Sequence, residues 1–186
     1  MKIAAVLALS TVALAMAACS SSSSTPATEQ DKGLEGPGVG TADSAPDTNP
    51  AGDQYPTDNI GTTPRKGDKP GNRIANFKFL GYPDADKAGG LKPISLAQFY
   101  DPTGTKYRII HLQAAGVWCS ACQAETQTVV PMKAQLEERK AVWVVSLAEG
   151  PTPGQPSKQK DLDGWIAEFK SPYTHLLDPG NANLGP

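Results

Sequence analysis

Cysteine, histidine and aromatic residues are all scarce in this 186-residue sequence: three cysteines, two histidines, and 6% Phe, Trp and Tyr together. Three cysteines allow one internal pair, which excludes a small scaffold stapled by several disulfides. The histidines, His111 and His175, each stand within an apolar strand-like run and follow no zinc spacing. Both read as sheet residues rather than metal ligands. Excess charge is lacking too. The formal net charge is −2 and no basic cluster stands out, which argues against a nucleic-acid partner. The apolar run from Ile3 to Ala17 is too short to remain as a membrane-spanning helix, and no internal repeat is visible.

The chain does carry an export signature at its start. Lys2 supplies the positive end, Ile3 to Ala17 the apolar stretch, and Ala17-Ala18 the small residues before a cut, so residues 1–18 read as a signal peptide. Met16-Ala17-Ala18-Cys19 resembles a bacterial lipobox, with Met16 where Leu is usual. That resemblance implies that Cys19 is acylated and anchors the mature chain to a membrane. Ser20, with no Asp following the cysteine, fits outer-membrane sorting, facing the periplasm. Residues 19–72 follow as a Ser-, Thr-, Pro- and Gly-rich tether in which Leu34, Val39, Tyr55 and Ile60 stand alone. Such a stretch buries too little to offset its conformational entropy and is expected to be disordered. As a flexible chain it would span about 40 Å.

Residues 73–186 read as the folded domain, with strands alternating with helices around a parallel sheet. Ile74, Phe77, Phe79 and Leu80 suggest a first strand, closed by Gly81-Tyr82-Pro83-Asp84. Residues 94–100 suggest a short helix capped by Ser95 and stopped at Asp101-Pro102. Tyr107 to Ala115 reads as a buried central strand. A helix is expected from Cys119 to about Lys140, interrupted at Pro131, which removes the backbone bond to Gln127. Residues 141–147 read as a second buried strand, Ser157 to Lys170 as a helix with Leu162, Trp165, Ile166 and Phe169 inward, and Tyr173 to Leu177 as a third strand.

The chemistry concentrates at Trp118-Cys119-Ser120-Ala121-Cys122. The two thiols sit one helical turn apart, close enough to form a disulfide with each other, at the start of the helical pattern. A helix N-terminus lowers the pKa of the first thiol. From about Arg73 onward the chain resembles the thioredoxin-like proteins of the TlpA/ResA type, in the wider redoxin group. The residues that carry the likeness are Ile109-Ile110-His111-Leu112-Gln113 and Trp118-Cys119-Ser120-Ala121-Cys122-Gln123-Ala124-Glu125. The resemblance implies an α/β thioredoxin-like fold and a tethered thiol–disulfide oxidoreductase that needs no cofactor. Cys119 would be the nucleophile and Cys122 would resolve the mixed disulfide. Its partners would be exported protein thiols and disulfides and an upstream thiol reductant or oxidant. Trp118 would pack beside the site.

Three departures from that pattern are visible. Ala114-Ala115-Gly116 stand where family members often carry aromatics. Gln113 occupies the position, six residues before the nucleophile, where thioredoxins keep a buried carboxylate, and an amide is no general base near neutral pH. Glu149 is a candidate substitute. Finally, the family's cis-proline loop, hairpin and last helix would follow the stretch that ends at Leu184-Gly185-Pro186, so the domain reads as incomplete. Two other readings compete: a non-catalytic lipoprotein that uses the fold to bind partners, and a peroxiredoxin-like peroxidase. The peroxidase reading is disfavoured by Gly116 where Thr or Ser is expected. A copper-delivery protein of this fold would need a CxxxC spacing.

Overall fold

A run of β-branched and apolar residues, Ala141–Glu149, forms the strand around which the domain is built. Val144, Val145 and Leu147 in it are fully buried, as expected of a strand covered on both faces. The computed structural model describes residues 41–58 and 73–184. The signal-like segment, Cys19 and most of the expected tether lie outside the described residues.

The described residues form an α/β domain with a mixed five-stranded sheet. Its strands are β1 (Lys78–Tyr82), β2 (Lys92–Ser95), β3 (Ile109–Gly116), β4 (Ala141–Glu149) and β5 (Thr174–Leu177), in spatial order β2-β1-β5-β4-β3. β3, β4 and β5 run parallel. β1 is antiparallel to both of its neighbours, β2 and β5. Gly81 is required where β1 meets β5, because a Cβ there would come within 2.2 Å of the His175 carbonyl oxygen.

Three α-helices join the strands: α1 (Ser120–Val129), α2 (Lys133–Glu138) and α3 (Gln159–Phe169). The expected interruption at Pro131 is present as a 3-10 turn, Val130–Met132, that separates α1 from α2. α3 starts on a bond from the Lys158 backbone N–H to the Asp161 side-chain Oδ2 (2.9 Å) and ends at Lys170 in the left-handed region. It buries Leu162, Trp165, Ile166 and Phe169 against Leu80, Val145 and Leu177 on one face of the sheet. Phe79, Ile94, Leu96, Val144 and Leu176 form a second cluster on the other face.

The first strand is shifted from its expected place: Ile74 lies outside β1 and is 40% exposed, and Gly81-Tyr82, expected as the closing turn, belong to β1. Three further expectations differ from the structure. Among the described residues β3 lies at the edge of the sheet, not at its centre. Among those residues it pairs only with β4, and Ile109 and Ile110 are 59% and 39% exposed. A continuous apolar run looks the same at an edge as at the centre until its neighbours are known. Residues 94–100 are divided between β2 and a 3-10 turn, Leu96–Phe99. Ser95 does not cap that turn. Its hydroxyl donates to the Pro46 carbonyl (2.5 Å), and the Ala97 N–H is taken by Asn76 Oδ1 (2.7 Å).

The third difference is the tether. Residues 41–58, assigned by composition to a disordered linker, pack on the domain. Asn49 Oδ1 accepts from the backbone N–H of Ala51 and Asp53, while its Nδ2 donates to Asp53 Oδ2 and to the Tyr100 carbonyl. Asp47 pairs with Lys78 (3.2 Å) and accepts from Asn76, and these partners hold its carboxyl below the usual range. Tyr55 lies edge-on to Tyr100 and donates to the Ile74 carbonyl. Hydropathy does not register anchoring of this kind, because it runs through polar side chains bonded to distant backbone. Asn49→Ala is expected to cost about 1–2 kcal/mol, read as a lower urea midpoint together with faster proteolysis within residues 41–58.

Candidate functional site

Three residues separate the end of β3 from the start of α1. Val117 N–H continues the ladder to the Glu149 carbonyl (2.9 Å), and Cys119 N–H bonds back to the Gly116 carbonyl (3.0 Å). Gln123 Nε2 donates to the Val117 carbonyl (2.7 Å), fastening the first helical turn to the connection. A Cβ at position 116 would stand 2.9 Å from Trp118 Nε1, so the indole would have to shift to admit a side chain there.

This turn places Cys119 at the N-cap of α1 with extended backbone. Its sulfur accepts from the Cys122 N–H (3.2 Å). Cys119 and Cys122 are joined as a disulfide, with 5.3 Å between their Cα atoms. Both are half-buried, and Cys122 packs against the core cluster that includes Ala115 and Val145. The unpaired N–H groups of a helix's first turn favour negative charge at that place. A thiolate released at Cys119 therefore has a donor already aimed at it.

Trp118 is 46% exposed beside the disulfide, and its indole N–H donates to the Glu149 carboxylate. Glu149 is thus engaged with Trp118, at the end of β4 opposite Gly116. Gln113 is 3% exposed and extends beneath α1. Its Nε2 donates to Glu125 Oε2 (2.7 Å) and to the Cys122 carbonyl (3.3 Å). Its Oε1 accepts from Thr126 Oγ1 and Trp143 Nε1, both at 3.4 Å.

The two histidines differ in environment. His111 is not buried: its side chain is nearly half exposed, stacked on Trp143 at 3.7 Å between ring centroids, with Nε2 3.8 Å from Glu125 Oε1. His175 is fully buried in β5. Its Nδ1 lies 2.7 Å from the Tyr173 carbonyl, and its Nε2 has no hydrogen-bond partner. Among the described residues no three His, Cys, Asp or Glu side chains are gathered to hold a metal. A cavity of about 400 Å³, lined by Lys106, Lys133 and Lys140 with Tyr173 and Trp143, includes neither cysteine.

Sequence reasoning singled out Cys119, Cys122, Trp118 and Gln113, and the structure brings all four together. The convergence of Glu125, Trp143 and Thr126 on Gln113, with His111 against Trp143 and Glu125, was missed. One signal for part of it was present: Glu125 stands three residues after Cys122, one turn along the same helical face. Among the described residues no helix is long and apolar enough to cross a membrane. No family model matches the chain, and no curated protein matches it.

Burial lowers the pKa of His175 to about 4. A neutral imidazole so held contributes stability that is complete above its ordinary value near 6.5 and is lost as pH falls through the folded value. The Asp178 carboxyl, raised by burial, acts in the opposite sense. Urea denaturation is expected to show a loss of up to about 3 kcal/mol attributable to His175 between pH 6.5 and 4, at about 1.4 kcal/mol per pKa unit. The slope should flatten in His175→Leu.

Proposed function

We propose that this chain is a thioredoxin-like thiol–disulfide oxidoreductase of the bacterial envelope, lipid-anchored through Cys19 and acting on exported proteins. The observation that carries the reading is the Cys119–Cys122 disulfide at the N-cap of α1, with the sulfur of Cys119 accepting from the Cys122 N–H. The parallel strand β3 leading directly into that helix supports it, as does the exposed indole of Trp118 beside the pair.

The exchange conserves atoms and electrons. A donor thiolate attacks the sulfur of Cys119, forming a mixed disulfide and breaking the Cys119–Cys122 bond. Cys122 leaves as a thiolate and takes up a proton. The donor's second thiolate attacks its own sulfur in the mixed disulfide and releases Cys119 as a thiolate. Two electrons have passed from the donor dithiol to the pair. In the other direction, the Cys119 thiolate attacks a substrate disulfide and Cys122 resolves the product. The helix N-terminus favours Cys119 over Cys122 as the attacking and attacked sulfur, because the negative charge is stabilised at the cap.

Alkylation of the reduced protein is expected to titrate at Cys119 below the ordinary thiol value of about 8.5. Cys122→Ser should accumulate a mixed disulfide on Cys119, seen by mass spectrometry and removed by dithiothreitol, whereas Cys119→Ser should lose insulin reduction altogether. Ordinary titration of Cys119 together with no trapped adduct would favour a binding role.

A further inference from the structure

Gln113 uses both ends of its amide inside the protein. The orientation of that amide is fixed by its partners, because Glu125 as a carboxylate can only accept and the Trp143 indole can only donate. Nε2 therefore faces Glu125 and the Cys122 carbonyl, and Oε1 faces Trp143 and Thr126. Three of these partners lie on α1 and the fourth on β4. His111 closes a ring: it stacks on Trp143 and approaches the second oxygen of Glu125. A half-exposed carboxylate is thereby held one turn beyond Cys122 by a buried neutral donor.

Few other charges face this ring. Glu125 is the only charged side chain on α1, and Glu149, the only one on β4, is bonded to Trp118 at the far end of the strand. On α2, Lys133 is engaged with Glu137 and Asp84; Glu138 also stands on that helix.

We propose that Gln113 is the positioning residue of the exchange site, fixing the helical turn that carries Cys122 against β3 and β4 and holding Glu125 beside it. The inference rests on the oxidoreductase reading above. Gln113 touches neither sulfur; it acts through the Cys122 carbonyl and through Glu125. When the disulfide opens, the two sulfurs must move apart, and the bond from Gln113 Nε2 to the Cys122 carbonyl ties down the backbone of that turn. Anchors on that turn therefore weigh on the balance between the closed and open pair. Without the amide, the Trp143 indole and the Thr126 hydroxyl lose a buried acceptor and Glu125 loses its donor.

The test equilibrates the full chain with mixtures of reduced and oxidised dithiothreitol, and alkylation mass shifts read the fraction of Cys119–Cys122 that is closed. In Gln113→Leu, with folding verified by circular dichroism, the equilibrium constant should move by at least about tenfold, or about 30 mV for this two-electron couple. A folded Gln113→Leu that titrates within about twofold of the parent overturns the inference. Gln113→Glu serves where the leucine variant fails to fold. It sets a second carboxylate against Glu125, and two carboxylates at this distance share a proton. Its equilibrium constant should match the parent at low pH and depart from it as pH rises and that proton is lost. A ratio to the parent that stays constant with pH overturns the inference. A parent pair that cannot be reduced and reoxidised at all sinks the oxidoreductase reading instead.

Discussion

Within three residues, from Val117 to Cys119, the chain passes from a parallel strand into a helix, and most of the surrounding structure is arranged about that passage. β4 supplies the Glu149 carbonyl that extends the ladder to Val117. The middle of β4 is sealed on both faces by the two apolar clusters. Gly116 clears space for the Trp118 ring. The backbone turns into a helix at the one position where Cys119 becomes the cap rather than part of the first turn. A sulfur at the cap meets an outward-pointing N–H, whereas a sulfur inside the helix would meet only side chains.

Elements whose identity depends on local pattern alone were legible in the sequence. β4 was marked by its β-branched run, α3 by inward residues at helical spacing, and the break after α1 by Pro131, which cannot donate to Gln127. Elements whose identity depends on distant partners were not. Ser95 has the look of a helix cap, yet its hydroxyl is claimed by Pro46, a residue 49 positions away. Residues 41–58 looked like linker because their attachment runs through Asn49, Asp47 and Tyr55 rather than through a hydrophobic stripe. Of the site, the cysteine pair was legible from spacing. The neighbours of Gln113 were not, since they come from α1 and β4 and converge only after folding.

Among the described residues β3 lies at the sheet edge, and its burial changes along its length. Ala115 and Gln113, toward its C-terminal end, are covered by α1, while Ile109 and Ile110 at its start are open. The strand is thus most tightly held where it delivers the cysteines. A buried end and an open end on one strand mean that the apolar run from Ile109 to Leu112 reports β structure but not depth, which is why the sequence pattern suggested a central strand.

An amide at position 113 also resolves an electrostatic problem. A carboxylate with 3% exposure would lose nearly all of its hydration, and desolvation disfavours the charged form of an acid. Glu125 carries the acidic group instead, with its side chain 45% exposed, so water still reaches it. Gln113 then supplies a neutral donor to one oxygen of that carboxylate, and His111 approaches the other. The charge sits where water can reach it, and the buried layer beneath Cys122 is left to hydrogen bonds whose donors and acceptors match. Buried rigidity and accessible charge are divided between two residues that touch.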